Sequence, residues 1–67
     1  MGEQLTENEI DLIWNMVEYD MNITKIAEVM FVHKNTIYYW INRIKAKTGY
    51  DPRSFIGLTE LLKIIEN

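Results

Sequence analysis

The sequence predicts a small all-α domain of four helices, with room for a fifth short turn. The chain has 67 residues and no cysteine, and 48% of its residues are hydrophobic. One small packed core must therefore hold it together without disulfides or cysteine-bound zinc. Apolar residues recur at helical spacing in several segments, and residues typical of helix ends separate these segments. The whole chain, residues 1–67, is predicted to form one domain.

The first helix is predicted to begin after Thr6 and to run to about Tyr19. The segment Thr6-Glu7-Asn8-Glu9 has the form of a capping box, in which the threonine oxygen accepts from an amide of the first turn. Four apolar residues are spaced as one helical stripe and are predicted to face the core: Ile10, Ile13, Trp14 and Val17. Three acids near the helix start are predicted to lie on a solvated face: Glu7, Glu9 and Asp11.

A second helix of about two turns is predicted after the polar break at residues 20–22, capped by Asn22 or Thr24. Its inward residues are predicted to be Ile26, Ala27 and Met30. The segment Phe31-Val32-His33 would connect it to a third helix over residues 34–48, closed by Gly49.

Only one side of the third helix is predicted to be core. At about 100° per residue, three isoleucines project within about 60° of one another: Ile37, Ile41 and Ile44. Three residues project to the opposite side: Asn35, Tyr39 and Asn42. Trp40 is predicted to be half-buried. Two short helices joined by a few residues, the second with a polar free face, are typical of a helix-turn-helix, predicted here at about residues 23–48.

A fourth helix is predicted after the turn Asp51-Pro52-Arg53, with Ser54 as its cap. Its apolar positions are Leu58, Leu61, Leu62 and Ile65. Gly57 is predicted to weaken its first turn, because glycine is a poor helix former.

The charges are unevenly spread along the chain, although the net charge is only −3. Residues 1–20 hold six acids and no base, whereas residues 21–50 hold five bases and one acid. Attraction to phosphate depends on the local field as well as on the total charge. The middle of the chain is therefore a candidate surface for nucleic acid.

The run IAEVMFVHKNTIYYWINRI at residues 26–44, followed by KTGYDPR at residues 47–53, resembles the C-terminal DNA-binding domain of PucR/CdaR-type bacterial transcriptional regulators. That family shows approximately A-x-x-L-F-V-H-R-N-T-L-x-Y-R-L-x-R-I and then T-G-x-D-P/L. The resemblance covers most of the chain. It implies double-stranded DNA as the partner, no cofactor, and a chain that is the C-terminal part of a longer regulator, forming a homodimer to which the upstream region can contribute.

The resemblance also implies which residues contact DNA: His33, Lys34, Asn35, Thr36, Tyr38, Tyr39 and Arg43. Residues at the start of a recognition helix meet base edges in the major groove. Asn35 is suited to a bidentate contact with adenine, and Lys34 to guanine or a phosphate. Tyr39 is suited to a phosphate or a thymine methyl group. For Tyr38, solvent exposure, a DNA contact and a contact with a partner protein all stay open.

Two departures from the family pattern favour weak DNA binding by a monomer. Family members usually carry basic residues around the positions of Tyr38 and Trp40, and both are aromatic here. Each missing phosphate contact removes salt-dependent affinity. A second interpretation is therefore a protein-interaction or dimerisation module that kept the helix-turn-helix scaffold and has little DNA affinity.

The sequence does not predict an enzyme. His33 is the only histidine and has no partners for a metal site or a catalytic triad. No glycine-rich phosphate loop or nucleophile motif occurs. Apolar runs such as residues 29–32 are far shorter than a membrane span, and the acidic first twenty residues do not resemble a signal peptide. A cytoplasmic protein is predicted.

Overall fold

A computed structural model of the chain describes residues 4–66 and contains four helices in that range, with no strand. They are α1 (Glu7–Glu18), α2 (Ile23–Met30), α3 (Lys34–Thr48) and α4 (Phe55–Glu66). The all-α class and the helix-turn-helix at residues 23–48 are confirmed, and no fifth helix occurs in the described part of the chain. Residues 1–3 and 67, which the predicted domain includes, lie outside the described residues.

α1 and α2 begin where the sequence predicts, and a side-chain hydrogen bond caps the start of each helix. Thr6 Oγ1 accepts from the Glu9 amide at 3.2 Å, and Glu9 Oε1 accepts from the Thr6 amide at 2.9 Å, so the capping box is complete. Asn22 Oδ1 accepts from the Lys25 amide at 3.2 Å. The cap of α2 is therefore Asn22 and not Thr24.

The start of α4 is held tightly against the turn that precedes it. Ser54 Oγ accepts from the Gly57 amide at 3.1 Å, which confirms Ser54 as the cap. A Cβ added at Gly57 would overlap the carbonyl oxygen of Asp51. Glycine weakens the helix intrinsically, but here its missing side chain permits this close approach.

The core is one cluster to which all four helices contribute. α1 is the central element and packs against α2, α3 and α4. The buried apolar residues are Leu12, Ile13, Met16, Ile26, Ala27, Ile37, Ile41, Ile44, Leu58 and Leu61. The predicted inward residues of α2 and α3 lie in this cluster or, like Met30, against it. None of the helices within residues 4–66 is both long enough and apolar enough to cross a membrane.

The predicted core face of α1 is wrong by one residue, which is about 100° of rotation. The buried residues of α1 are Glu9, Leu12, Ile13 and Met16, which have the same spacing as the predicted stripe. Trp14 is 44% exposed and Val17 is 46% exposed, so neither is a core residue. The two stripes share Ile13, and the stripe that faces the core begins with an acid. Hydrophobicity alone therefore favoured the other stripe.

Candidate nucleic-acid interface

The connection between α2 and α3 is a tight turn at the predicted residues. Phe31 ends α2 in the left-handed conformation, with φ 59° and ψ 42°. The Phe31 amide donates to the Glu28 carbonyl at 3.2 Å, and the Val32 amide donates to the Ala27 carbonyl at 3.0 Å. These bonds fix the angle between the two helices, while the Phe31 side chain is 93% exposed.

His33 caps the start of α3 with its side chain. The Asn35 amide donates to His33 Nδ1 at 3.1 Å, and the Thr36 amide donates to the His33 carbonyl at 2.9 Å. His33 is therefore the residue at the start of α3 whose side chain bonds the helix backbone. Lys34 and Asn35 follow with exposed side chains, at the helix end whose amides and dipole favour an anion.

The exposed side of α3 is polar and aromatic. Asn35, Tyr39 and Asn42 lie along its middle and are all exposed, as predicted, with Tyr39 at 59%. By helical spacing, Lys34 and Tyr38 lie along one edge of this face and Thr36 and Arg43 along the other. The seven predicted contact residues thus begin at the helix start and continue along one face and its two edges. Asn42 shares the face but was not among them, although its spacing of seven residues from Asn35 is a signal for it.

Arg43 and Lys47 approach a buried carboxylate of α1. Glu9 is 2% exposed, and its Oε1 lies 2.7 Å from Lys47 Nζ, whose side chain is 5% exposed. Lys47 Nζ also donates to the Gln4 carbonyl at 3.1 Å, and Arg43 Nε lies 3.9 Å from Glu9 Oε2. We call Glu9, Arg43 and Lys47 the Glu9 cluster. The prediction that Glu9 lies on a solvated face is wrong, because α3 supplies the cations that let this acid be buried.

The Glu9 cluster keeps its carboxyl group ionised. Burial by itself raises the pKa of Glu9. Hydrogen bonds from the Lys47 ammonium and the Thr6 amide, together with the charges of Lys47 and Arg43, outweigh burial and hold this pKa below its ordinary value. The charge of Lys47 is therefore neutralised inside the fold, and Arg43 stands between Glu9 and the solvent with 46% of its side chain exposed.

The family of this domain follows from its sequence. A family model for the PucR C-terminal helix-turn-helix domain matches residues 11–62, which include α2, α3 and most of α1 and α4. The chain belongs to this family. The resemblance seen at residues 26–53 is thereby confirmed, and a DNA-binding role in regulation follows as the general function of such a domain. No curated protein and no solved structure matches the chain.

One departure from the PucR-type pattern has a structural explanation. Trp40 is half-buried and packs against the core, as predicted, so its indole fills space between helices at a position where relatives usually carry a basic residue. Tyr38 is 41% exposed and lies on the edge of the polar face beside Lys34. Of these two aromatic residues, only Tyr38 therefore lies on an open surface.

The described part of the chain shows no group of side chains typical of a metal site. Within residues 4–66, no three His, Cys, Asp or Glu side chains are grouped so that they could hold a metal ion. A cavity of about 390 Å³ lies between residues 4–5, α1 and the end of α4 and is lined mainly by Leu5, Ile10, Ile64 and Ile65. This apolar cavity is separate from the polar face of α3.

Proposed function

We propose that this PucR-type domain binds double-stranded DNA in a sequence-specific manner, with α3 in the major groove. The observation that carries the proposal is the start of α3. There His33 fixes the helix end, Lys34 is exposed at the edge, and Asn35 and Tyr39 are exposed opposite the buried isoleucines. A helix with one side anchored and its N-terminal side chains free is the geometry in which recognition helices reach base edges.

Direct base recognition is assigned to the first turn of α3. The amide of Asn35 forms a bidentate pair with adenine, and Lys34 reaches guanine acceptors or a phosphate. Because His33 Nδ1 accepts a hydrogen bond, its neutral ring carries the proton on Nε2, which donates to a phosphate. The Thr36 hydroxyl bonds the backbone or a base edge.

Backbone contacts are assigned to the middle of α3 and its edges. Tyr39 contacts a phosphate or a thymine methyl group, and Tyr38 donates its hydroxyl to a phosphate at one edge. Arg43 contributes a cation at the other edge while it also faces Glu9. Because few cations stand free along α3, we expect weak binding by one copy. Two linked copies on half-sites about 34 Å apart would bind far more tightly than one copy, because the second contact is then intramolecular.

Anisotropy titrations with labelled duplex DNA test this function. Wild-type protein is first used to select sites from random duplexes of about 30 base pairs, about three helical turns. We expect affinity that falls with salt and a recurring adenine that is lost when Asn35→Ala protein selects the sites. On the selected site, Asn35→Ala costs about 1–3 kcal/mol of discrimination.

Asn8→Ala is the matched control, because Asn8 is an exposed asparagine on α1, away from α3. It should leave both affinity and site preference unchanged. A wild-type protein without salt-dependent DNA binding would favour the interaction-module interpretation instead. A folded Asn35→Ala protein with unchanged preference would show that the start of α3 does not read bases.

A further inference from the structure

A second surface, between α1 and α4, carries exposed apolar side chains that the core does not use. Val17 is 46% exposed and Phe55 is 76% exposed, and they line a groove of about 200 Å³ together with Met21 and Leu62. Trp14, 44% exposed, lies one turn before Val17 on α1 and extends the apolar surface. Contiguous exposed apolar surface on so small a domain indicates a contact with another molecule.

Acids border this apolar surface along α1 and the turn that follows it. Asp20 lines the groove itself. On α1, Asp11 and Glu18 are exposed at three residues before and four residues after Trp14, so both flank its indole. On α4, Lys63 lies 3.2 Å from Glu60, which partly neutralises it. The α1 side of the rim is therefore negatively charged, and the α4 side carries a neutral pair.

We propose that this groove, the α1–α4 groove, is a docking site for a basic amphipathic helix of a partner protein. An apolar groove with an acidic rim complements a helix whose apolar stripe is flanked by lysine or arginine, since such helices lie with their apolar face in the groove. α1 has 12 residues and is about 18 Å long, which gives a seat for about three turns of partner helix.

Charge and position disfavour the other occupants. A second copy that used the same surface would bring acidic α1 against acidic α1, and like charges in an interface oppose association. Duplex DNA is repelled by the same acids. None of the lining residues of the groove belongs to α3, so the partner helix and DNA can be bound at the same time, and this proposal does not depend on the DNA-binding proposal.

Two synthetic helical peptides of about four turns test the site. Both carry leucine at positions i, i+3, i+4 and i+7; one has lysine on both flanks of this stripe and the other has glutamate. Titration calorimetry with wild-type protein should show saturable binding of the lysine peptide that weakens with salt, and no binding of the glutamate peptide. Failure of the lysine peptide to bind overturns the proposal.

Neighbouring residues on α4 provide matched variants. Phe55→Ser removes a groove side chain, whereas Ile56→Ser removes one that is 72% exposed and outside the groove. We expect the lysine peptide to bind about tenfold more weakly to Phe55→Ser and with wild-type affinity to Ile56→Ser. Val17→Ser, from the α1 side, should repeat the loss. Circular dichroism checks that all three variants are folded.

Three results would count against the proposal. Equal binding of the lysine peptide to Phe55→Ser and wild-type protein means that the peptide binds elsewhere. Equal losses of affinity for the lysine peptide in Phe55→Ser and Ile56→Ser mean that the loss does not come from the groove. Self-association of wild-type protein in sedimentation that Phe55→Ser abolishes assigns the groove to a second copy. We expect Phe55→Ser to bind DNA with wild-type affinity. A failure of the groove proposal can then be told apart from a failure of the DNA-binding proposal.

Discussion

The two ends of α3 use their polar residues differently. At the N-terminal end, Lys34, Asn35 and Tyr39 are exposed and no packed helix covers them. At the C-terminal end, Lys47 is almost completely buried against Glu9, and Arg43 faces the same carboxylate. Basic residues that look equivalent in the sequence thus differ in whether their charge reaches the solvent.

The difference arises from where α1 crosses α3. The Glu9 carboxylate is brought to a lysine 38 positions further along the chain, and the Gln4 carbonyl takes a second hydrogen bond from the same ammonium group. A buried ammonium group that lost these partners would be left without compensation for its lost hydration. Lys47 therefore stabilises the fold, and this limits the charge on α3 that is available to attract phosphate.

The largest loss of stability is expected from Glu9→Gln, which removes the negative charge that faces Lys47 at the C-terminal end of α3. Glutamine can still accept from the Thr6 amide as a capping-box residue, but it leaves the Lys47 charge buried and unpaired. We expect the free energy of unfolding to fall by about 3–5 kcal/mol, measured by urea denaturation followed by circular dichroism.

Glu7→Gln is the control for this change, since Glu7 is exposed in the same first turn and should cost less than about 1 kcal/mol. The double variant Glu9→Leu with Lys47→Met should recover most of the lost stability, because apolar residues of similar size often replace a buried ion pair without penalty. Equal costs for Glu9→Gln and Glu7→Gln would contradict the role of the Glu9 cluster.

A smaller loss of stability is expected when the wild-type protein is acidified. Folding lowers the pKa of Glu9, so the ionised carboxylate is more stable in the folded protein than in the unfolded chain. Its contribution to stability is complete above the ordinary glutamate pKa of about 4.3 and is lost as the pH falls through the lowered value in the fold. The stability gap between wild type and Glu9→Gln, measured from about pH 7 to pH 3, should therefore narrow only at the acidic end. A gap that stays constant over this range would be inconsistent with the lowered pKa.

Phe31→Gly tests the turn that leads into the N-terminal end of α3. Phe31 is in the left-handed conformation, and its side chain is 93% exposed. Glycine adopts this conformation without the penalty of about 1 kcal/mol that other residues incur, so the variant should be more stable by about that amount. A rise in Tm of about 4–8 °C is expected. Phe31→Ala keeps the penalty and should show no such rise; a loss of stability in Phe31→Gly would show that the side chain packs after all.

Tyr38→Arg should produce the smallest change, a gain in DNA affinity without a loss of fold. It adds a cation at the edge of the exposed polar face of α3, where one further phosphate contact steepens the slope of log affinity against log salt by about 0.9. Anisotropy titrations at several salt concentrations measure this slope. Ile56→Arg adds the same charge outside α3 and should leave the slope unchanged. An unchanged slope in folded Tyr38→Arg would mean that this edge of α3 does not meet DNA.

Much of the fold was predictable because its signals are local. The cap at Thr6 needs only a glutamate three residues later, and the turn after α3 needs only a glycine. The outward direction of Asn35 and Tyr39 follows from helical geometry once the isoleucines are taken as core. The exposure of Trp14 was not predictable in this way, since two stripes of α1 fit a helix equally well and the sequence does not show which one faces the core.

By itself, the sequence determined the four helices, their ends, the helix-turn-helix at residues 23–48 and the family, because each depends on residues a few positions apart or on one contiguous pattern. Only the tertiary structure decided which face of α1 packs into the core and that Glu9 is buried. It alone also decided that the charge of Lys47 is buried and that the groove beside Phe55 is open. These depend on which helices meet. A charge can be buried only where packing brings its partner within hydrogen-bond distance, and no local pattern in α1 records that α3 supplies one.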